Sequence, residues 1–413
     1  MERGEAVEGL RRSEEALRSY AERNGLTLGS EPPWPGYQPV EQQSGPIRHA
    51  VWTLSGRLPG GAVGTLRHQA VYGTTLGMDI AGQHTIMVAR LPESVGYVPM
   101  LCVRQKAVDS GLYYWGGDQR PRQSQEFEST ELNRRFVIDI AKAQGQNWLW
   151  QLFSPSLINW LAHETPPDFG FKLETGVFTC EVPQWRGQGT SGEVEAEHLD
   201  LLAESGGKVA GRIRDEVLEE IGTGSATNPA SLQAYTDWVA APKHGRIVGT
   251  LMKLAGADKP DESVARWADA NGMELESPAA FHSRHITLPL PGAASDVATG
   301  TLPGTSRRGS VAWIAFSSPV DVEQNYVAVV AEIGAKLPPT WIDAGEAAVP
   351  GYGEELPAAV IEAAKAGDFG VSTADGAACA YIKGPAPGAW PKKERVEAFI
   401  GEGIAALEAI DAG

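Results

Sequence analysis

One pattern occurs twice in the sequence, two hundred residues apart. Residues 154–163 predict a short amphipathic helix, and the following Asp168-Phe169-Gly170-Phe171 predicts a turn and a strand. A thinner version of the pattern lies at residues 356–364, followed by Asp368-Phe369-Gly370-Val371. Because a helix, a turn and a strand return in the same order, we expect two tandem copies of one α+β module.

A second pair of segments supports the same expectation. Residues 5–24 carry an apolar stripe at helical spacing and end at Asn24-Gly25, after which a strand begins. Residues 264–275 repeat the helix, an Asn-Gly stop and the strand, and residues 20–26 align with residues 267–273 without a gap.

Short alternating segments separated by Gly and Pro fill the middle of each copy. The predicted strands lie at residues 50–54, 64–72 and 85–89 in the first copy, and at 285–288, 311–316 and 326–330 in the second. Such spacing is typical of an antiparallel meander and not of βαβ units. The expected fold class is therefore α+β: two modules, each an antiparallel sheet flanked by helices, with the second module trimmed.

The distance between matching segments shrinks along the chain, so the first copy holds extra residues. We expect a first module at 1–221 with an insert at about 104–150, a linker with a short helix at 222–245, and a second module at 246–413. The predicted closing helices are residues 195–221 and 392–410. Further helices are predicted at 231–240 and 246–254.

The charge balance disfavours some partners. Lys and Arg number 35 against 52 Asp and Glu, which gives a net charge of -17, so nucleic acid and anionic lipid are disfavoured. Three cysteines make no disulfide framework. No apolar run approaches the roughly 20 residues of a membrane span, and the charged first residues lack the apolar core of a signal peptide. We expect a cytoplasmic protein.

Three segments match part of a catalytic motif but lack the other residues or the spacing that the motif requires. Asp168-Phe169-Gly170 and its repeat at 368–370 match a kinase triplet, but the glycine-rich loop, strand lysine and catalytic loop of kinases are missing. Residues 205–208 lack the spacing of a phosphate loop and lie in a helical pattern. Residues 304–309 lack the spacing of a nucleophile elbow and predict a hairpin loop.

Histidines and cysteines give weak signals for chemistry. His163, Asp168 and Cys180 could form a nucleophilic set, but a His at a helix C-terminus is explained by the helix dipole, and we favour that interpretation. His282 and His285 are expected on opposite faces of a strand, at the surface. No zinc-binding spacing occurs. We predict no catalytic residue, no metal site and no cofactor.

The insert of the first copy concentrates aromatic residues and arginine in an acidic protein. Trp, Tyr and Arg are the residue types enriched at binding hot spots. The predicted partner-binding residues are Tyr114, Trp115, Arg134, Arg135, Trp148 and Trp150. The alternative is that these aromatic residues complete the core of the first copy or pack the two copies together.

Three segments of the first copy carry a resemblance to a known family. Residues 132–137, 154–161 and 169–171 resemble a family of uncharacterised bacterial proteins of unknown function. The resemblance implies a strand before a Pro-x-Leu helix and a closing pair of strands, and it implies no activity or site residues. The second copy lacks the Asn-Arg-Arg-Phe element of residues 133–136.

Two functional hypotheses follow from the sequence. The first is a non-enzymatic cytoplasmic protein-interaction or scaffolding protein, in which the insert binds a protein partner or supports self-association. The alternative is a small-molecule binder or hydrolase with its site in the cleft between the two modules, because ligand sites favour domain interfaces.

Overall fold

The chain is described by a computed structural model. The described residues are 3–30, 47–75, 78–91, 94, 98–106, 121–142, 144, 147–167, 169–174, 176–181, 194–222, 238, 262–285, 288, 290, 293–316, 324–338, 340–344, 353–374, 376–385 and 390–413. The predicted linker and helices between 223 and 254, apart from Trp238, lie outside these residues, and so does Asp168.

Nine antiparallel strands form the first sheet, in the order β1-β2-β3-β4-β9-β8-β5-β7-β6. The strands are β1 (Thr27–Ser30), β2 (Ile47–Arg57), β3 (Val63–Thr75), β4 (Met78–Arg90), β5 (Met100–Gln105), β6 (Arg122–Gln125), β7 (Phe136–Ala141), β8 (Gly170–Glu174) and β9 (Val177–Glu181). The helices of this half are α1 (Arg3–Asn24), α2 (Thr130–Arg135), α3 (Asn147–Leu152), α4 (Pro155–His163) and α5 (Ala196–Gly222).

Seven antiparallel strands form the second sheet, in the order β10-β11-β12-β13-β16-β15-β14. The strands are β10 (Glu274–Glu276), β11 (Ala293–Thr301), β12 (Arg308–Phe316), β13 (Gln324–Glu332), β14 (Thr340–Ile342), β15 (Gly370–Ala374) and β16 (Ala377–Lys383). The helices are α6 (Glu262–Ala270), α7 (Pro278–Arg284), α8 (Ala358–Ala366) and α9 (Lys393–Ala412). The predicted α+β class with two antiparallel sheets is confirmed. No helix in the described part of the chain is long and apolar enough to cross a membrane.

The Asn-Gly stops end their helices as predicted. The Asn24 amide donates to the Tyr20 carbonyl at 3.0 Å, and Gly25 has a φ of +65°. The Asn271 amide donates to the Trp267 carbonyl at 2.8 Å, and Gly272 has a φ of +64°. A left-handed glycine after the last helical turn closes the helix without a Cβ penalty.

Helix α5 approaches the first sheet closely because two glycines face it. A Cβ on Gly206 would lie 2.5 Å from the Met87 sulfur, and a Cβ on Gly207 would lie 2.9 Å from the Cα of Gly60. Gly60 itself has a φ of +89° in the turn between β2 and β3. The glycines at 206 and 207 therefore serve helix packing, and the interpretation of residues 205–208 as helix is confirmed.

Both faces of the second sheet are buried. One face packs against the helices that flank the sheet through the apolar cluster that contains Val329, Val371 and Phe399. The other face forms a separate cluster with Phe281 of α7, and Val177 of the first sheet packs against that cluster. The two sheets are therefore in contact through the face that the long helix α9 leaves uncovered.

The surface placement predicted for His282 and His285 is wrong. Of the strand predicted at residues 285–288, His285 and Leu288 lie outside any strand, and residues 286–287 lie outside the described residues. Ser277 accepts a hydrogen bond from the Ala280 N–H at 3.2 Å and starts α7, with a proline in the first turn. This helix carries His282 toward the sheet, where it is 1% exposed, and His285 directly after it is 6% exposed. The strand beside β12 is β11, which begins at Ala293.

A substitution pair within α5 tests the close helix contact. Gly207→Ala is expected to lower the free energy of unfolding by about 1–3 kcal/mol, because its Cβ would meet the backbone of Gly60. Gly211→Ala in the same helix has nothing within 4 Å of its Cβ and is expected to raise it by about 0.5–1 kcal/mol. Urea unfolding of both variants measures the difference, and equal effects would contradict the proposed contact.

Candidate functional site

The segment predicted as an insert, residues 104–150, extends the first sheet, and in its described part Trp150 is exposed. Strands β7 and β6 continue the sheet beyond β5, and α3 carries Trp150, which is 47% exposed. The Trp150 ring lies edge-on to Phe127, with ring centroids 4.9 Å apart, and Phe127 is stacked on Phe153 at 4.6 Å. Since Phe127 is only 5% exposed, the indole rests against the protein core.

Local hydrogen bonds hold Phe127 in place. The Asn133 side chain accepts from the Phe127 N–H at 3.0 Å and donates to the Phe127 carbonyl at 2.5 Å. Ser129 caps α2 by accepting from the Leu132 N–H at 3.3 Å, and Leu132 is fully buried. The Leu132-Asn133 pair therefore anchors the segment that supports Trp150.

The adjacent residues Arg134 and Arg135 have opposite environments. The Arg134 side chain is 74% exposed and pairs with Glu131 at 2.5 Å on the same helix. The Arg135 guanidinium instead reaches back to the end of α4. It donates to four backbone carbonyls, those of Leu161, Ala162, Thr165 and Pro166, at 3.0 to 3.3 Å.

Arg135 caps the C-terminal carbonyls of α4, whereas a glycine caps those of α8. The last carbonyls of a helix have no partner within the helix. At the end of α8, Gly367 has a φ of +88°, and its N–H donates to the carbonyls of Ala363 and Ala364. After α4 the residue at the C-cap is Glu164, and the carbonyls are bonded by Arg135 from the insert. Its guanidinium is thus engaged within the protein.

Three more of the predicted partner-binding residues have side chains outside the described part of the structure. Trp148 belongs to α3, although its side chain is not among the described ones, and Tyr114 and Trp115 lie outside the described residues. We use the name insert surface for the exposed Trp150 indole, its buried support Phe127 and the exposed Arg134, all within residues 104–150. The sequence did not single out Phe127, although it precedes Ser129, a cap residue that signals a helix start.

A second group of polar side chains joins the two sheets. Arg90 at the end of β4 donates to Asp343 at 2.6 Å, and its guanidinium lies over the Trp341 ring, 5.5 Å from the centroid. The Trp341 indole N–H donates to the Tyr381 hydroxyl at 2.7 Å, and that hydroxyl donates to Asp343. Arg90, Trp341, Asp343 and Tyr381 form the inter-sheet cluster.

The electrostatics of the inter-sheet cluster favour fixed protonation states. Burial alone raises the pKa of the Asp343 carboxyl, but the charges of Arg90 and Lys383 and the Tyr381 hydrogen bond outweigh burial, so this pKa is lowered. Burial, followed by the Asp343 charge, raises the pKa of the Tyr381 phenol well above its ordinary value. The carboxylate therefore stays charged and the phenol stays neutral near pH 7.

Glycine makes room for this cluster. A Cβ on Gly370 would lie 2.6 Å from the Tyr381 hydroxyl oxygen. Both Asp343 oxygens are bonded, one to Arg90 and one to Tyr381, so the group is suited to holding the sheets together and poorly suited to proton transfer. Its members lie far apart in the sequence and belong to no motif, so the sequence does not predict them as a group.

The three cysteines are unsuited to nucleophilic chemistry. Cys102, Cys180 and Cys379 are all buried, and burial raises the pKa of Cys102 and of Cys379 to about 12. The pKa of Cys180 is raised well above its ordinary value, by burial and then by the Glu181 charge. A thiolate is the reactive form, so the proposed set around Cys180 gains no support. Within the described residues, no group of three or more His, Cys, Asp or Glu could hold a metal ion.

Comparisons with known proteins identify no relative. No family model, no curated protein and no solved structure matches this sequence. The resemblance to a family of uncharacterised bacterial proteins therefore stays a prediction.

The adjacent arginines provide a matched test of the helix cap. Arg135→Ala is expected to lower the free energy of unfolding by about 1–3 kcal/mol, because the α4 carbonyls lose their charged donor. Arg134→Ala should leave the stability almost unchanged, since exposed pairs contribute little. Denaturant titration of both variants measures the difference, and an equal loss in both would refute the cap.

The Arg90–Asp343 pair is testable by a double-mutant cycle. Arg90→Met alone is expected to cost about 1–3 kcal/mol, because Asp343 keeps a charge without its guanidinium. Arg90→Met combined with Asp343→Asn should cost less than the sum of the single changes. Additive losses in urea unfolding would show that the two side chains do not interact.

The same pair has a defined pH dependence. The folded-state pKa of Asp343 is lowered, so the stability from the pair is complete above the ordinary carboxyl pKa of about 4 and is lost as the pH falls through the lowered value. The stability difference between wild type and Asp343→Asn, in which the side chain cannot titrate, should thus stay constant above about pH 4 and shrink at lower pH. A gap that already narrows between pH 7 and 5 would contradict this assignment.

Proposed function

We propose that this protein is a non-enzymatic interaction or scaffolding protein that binds a protein partner, or a second copy of itself, through the insert surface. The observation that carries the proposal is the exposed Trp150, supported edge-on by the buried Phe127. An aromatic anchor on a rigid support loses little conformational freedom on binding, which favours affinity.

Internal duplication is part of the proposal. The order β10-β11-β12-β13-β16-β15-β14 corresponds strand by strand to β1-β2-β3-β4-β9-β8-β5. The recurring Asn-Gly helix stops at residues 24–25 and 271–272 support the same origin. On this interpretation, strands β6 and β7 with α2 and α3 have no counterpart among the described residues of the second half, and these are the elements around the insert surface.

A substitution at one exposed residue tests binding through the insert surface better than a deletion of residues 104–150 does. Strand β7 pairs with β5, and Arg135 bonds the end of α4, so removal of residues 104–150 would disturb the first sheet itself. Trp150 projects from α3 and can be changed without loss of either contact. The net charge of -17 further supports a protein partner over nucleic acid.

The alternative of a small-molecule binder or hydrolase between the sheets has one observation in its favour. Arg90, Asp343 and Tyr381 meet where the sheets are in contact, and such interfaces are common ligand sites. Their hydrogen bonds are directed at one another, and their pKa shifts keep the carboxylate charged and the phenol neutral. Both facts favour a structural contact over acid–base catalysis.

The test uses two exposed tryptophans. Trp150→Ala is expected to reduce capture of specific partners by at least about tenfold, as loss of an aromatic hot spot does. Trp390→Ala is the matched control, since Trp390 is 40% exposed in the second half and lies outside the insert surface. Quantitative affinity capture with the intact chain and both variants, together with sedimentation for self-association, measures the effect.

The outcomes separate the two hypotheses. Loss of a partner or of a dimer with Trp150→Ala alone supports binding through the insert surface. Equal recovery from the wild type and both variants, with unchanged sedimentation, would overturn it. If Arg90→Met instead abolishes binding of a small molecule that Trp150→Ala leaves intact, the inter-sheet alternative takes its place.

A further inference from the structure

Two histidines are buried under the short helix α7, where they have no role in the proposed function. His282 on α7 is 1% exposed and His285, directly after the helix, is 6% exposed. The Phe281 ring stands edge-on to both imidazoles, at centroid distances of 5.4 and 5.1 Å. These three residues lie over the second face of the second sheet, in the cluster that contains Leu288, Leu290 and Ile314.

Both imidazoles use the Nε2 atom as a hydrogen-bond acceptor. The backbone N–H of Ala294 on β11 donates to Nε2 of His282 at 2.9 Å. The Arg284 Nε–H donates to Nε2 of His285 at 3.3 Å. A backbone amide and a guanidinium can only donate, so each Nε2 is unprotonated in this arrangement. If either Nε2 were protonated, its N–H would face the donor N–H of Ala294 or Arg284, and that hydrogen bond would be lost.

Charged side chains from α7, β10, β11 and β12 lie on or next to the segments that hold this pair. Arg284 at the end of α7 is paired with Glu276 of β10 and donates to Ser310 of β12 at 3.1 Å. Strand β11 carries Asp296, two residues beyond Ala294, and β12 begins at Arg308. The hydrogen bond from Arg284 to His285 places a fixed positive charge against one imidazole, which opposes its protonation.

We propose that α7 is an acid-released cover of the second sheet: protonation of His282 and His285 breaks the Nε2 contacts, detaches α7 and uncovers the apolar face beneath it. The His282 Nε2 accepts the Ala294 N–H of β11, and Phe281 shares an apolar cluster with Ala294 and Val297 of that strand. A helix of seven residues has little stability of its own once protonation opposes this contact. The uncovered face is the one that Val177 of the first sheet also touches.

The direction of the effect follows from linkage. Burial lowers the pKa of His282 to about 4, and burial with the Arg284 and His282 charges lowers the pKa of His285 to about 4. A released, solvated imidazole titrates near 6.5. The released state therefore binds more protons between about pH 6.5 and 4, and each histidine favours release by up to about tenfold per pH unit in that window. Above about pH 7 there is no effect.

Hydrogen exchange of the intact chain tests the cover directly. Peptides that span residues 277–285 are compared with peptides of β13 (Gln324–Glu332) in the same sample, so that the intrinsic pH dependence of exchange cancels. Between pH 7 and 5, the exchange of α7 relative to β13 should rise by at least about tenfold, through the linkage above. Constant protection of α7, or equal opening of β13, would overturn local release.

Glutamine variants test the role of the imidazoles. His282→Gln with His285→Gln keeps an acceptor near each Nε2 position and removes the titration, so the acid response of α7 should disappear. His163→Gln is the control, because His163 is exposed on α4 in the other half, and it should respond as the wild type does. An unchanged acid response in the double variant would overturn the proposal.

A measurement on the wild type covers the case in which the double variant does not fold. The C2 proton resonances of His282 and His285 are followed by NMR from pH 8 to 4. The expected result is that neither titrates until α7 loses its exchange protection, and that both changes share one midpoint. Titration near pH 6.5 with α7 still protected would show that the imidazoles take up protons without release, and would overturn the cover.

Discussion

Burial of both faces of the central strands of each sheet is the constraint on which the rest of the structure depends. An antiparallel sheet commonly exposes one face to water and alternates apolar and polar residues. Here the residues of β15 are buried along the whole strand, and successive residues of β13 from Val327 to Ala331 are all buried. A long helix covers only one face, so each sheet needs a second cover. In the second sheet that cover is α7, together with the contact made by the first sheet.

The second face of the first sheet is buried in a different way, with paired charges. Lys172 and Glu174 lie on that face of β8 and form an ion pair of 2.5 Å, and the Trp238 indole N–H donates to Glu174 at 3.4 Å. Asp139 on β7 accepts from Ser124 at 2.6 Å. A buried charge is tolerated only when it is paired and hydrogen-bonded. This face therefore depends on specific geometry, whereas the helix-covered face depends on apolar area.

Features that depend on neighbouring residues could be predicted from the sequence. The Asn-Gly stops, the long helices and the antiparallel strands all follow from local hydrogen bonds and periodicity. Ser277-Pro278 is a helix start signal, but comparison with the first half favours a strand near this position, so the sequence does not predict α7. A short apolar segment that contains two histidines does not reveal by its pattern which face of a sheet it will cover.

Contacts over long sequence separations could not be predicted. Arg90 and Asp343 are 253 residues apart, and neither belongs to a recognisable motif. Arg134 and Arg135 are identical in type, yet one is exposed and the other bonds four carbonyls up to 31 residues away. Residue type alone predicts both arginines as partner-binding residues. Only the position of the α4 end determines which arginine is available to a partner.

The pattern that occurs at residues 154–171 and again at 356–371 has structural roles in both places. Its helix ends on Arg135 in one half and on a left-handed Gly367 in the other. The glycine of its second Asp-Phe-Gly triplet leaves space for the Tyr381 hydroxyl that reaches Asp343. Gly370 of this triplet therefore lets β15 lie against the Tyr381 ring, where a Cβ would clash. Trp150 on α3 has no such packing requirement to explain it, because its ring is 47% exposed on the buried support of Phe127.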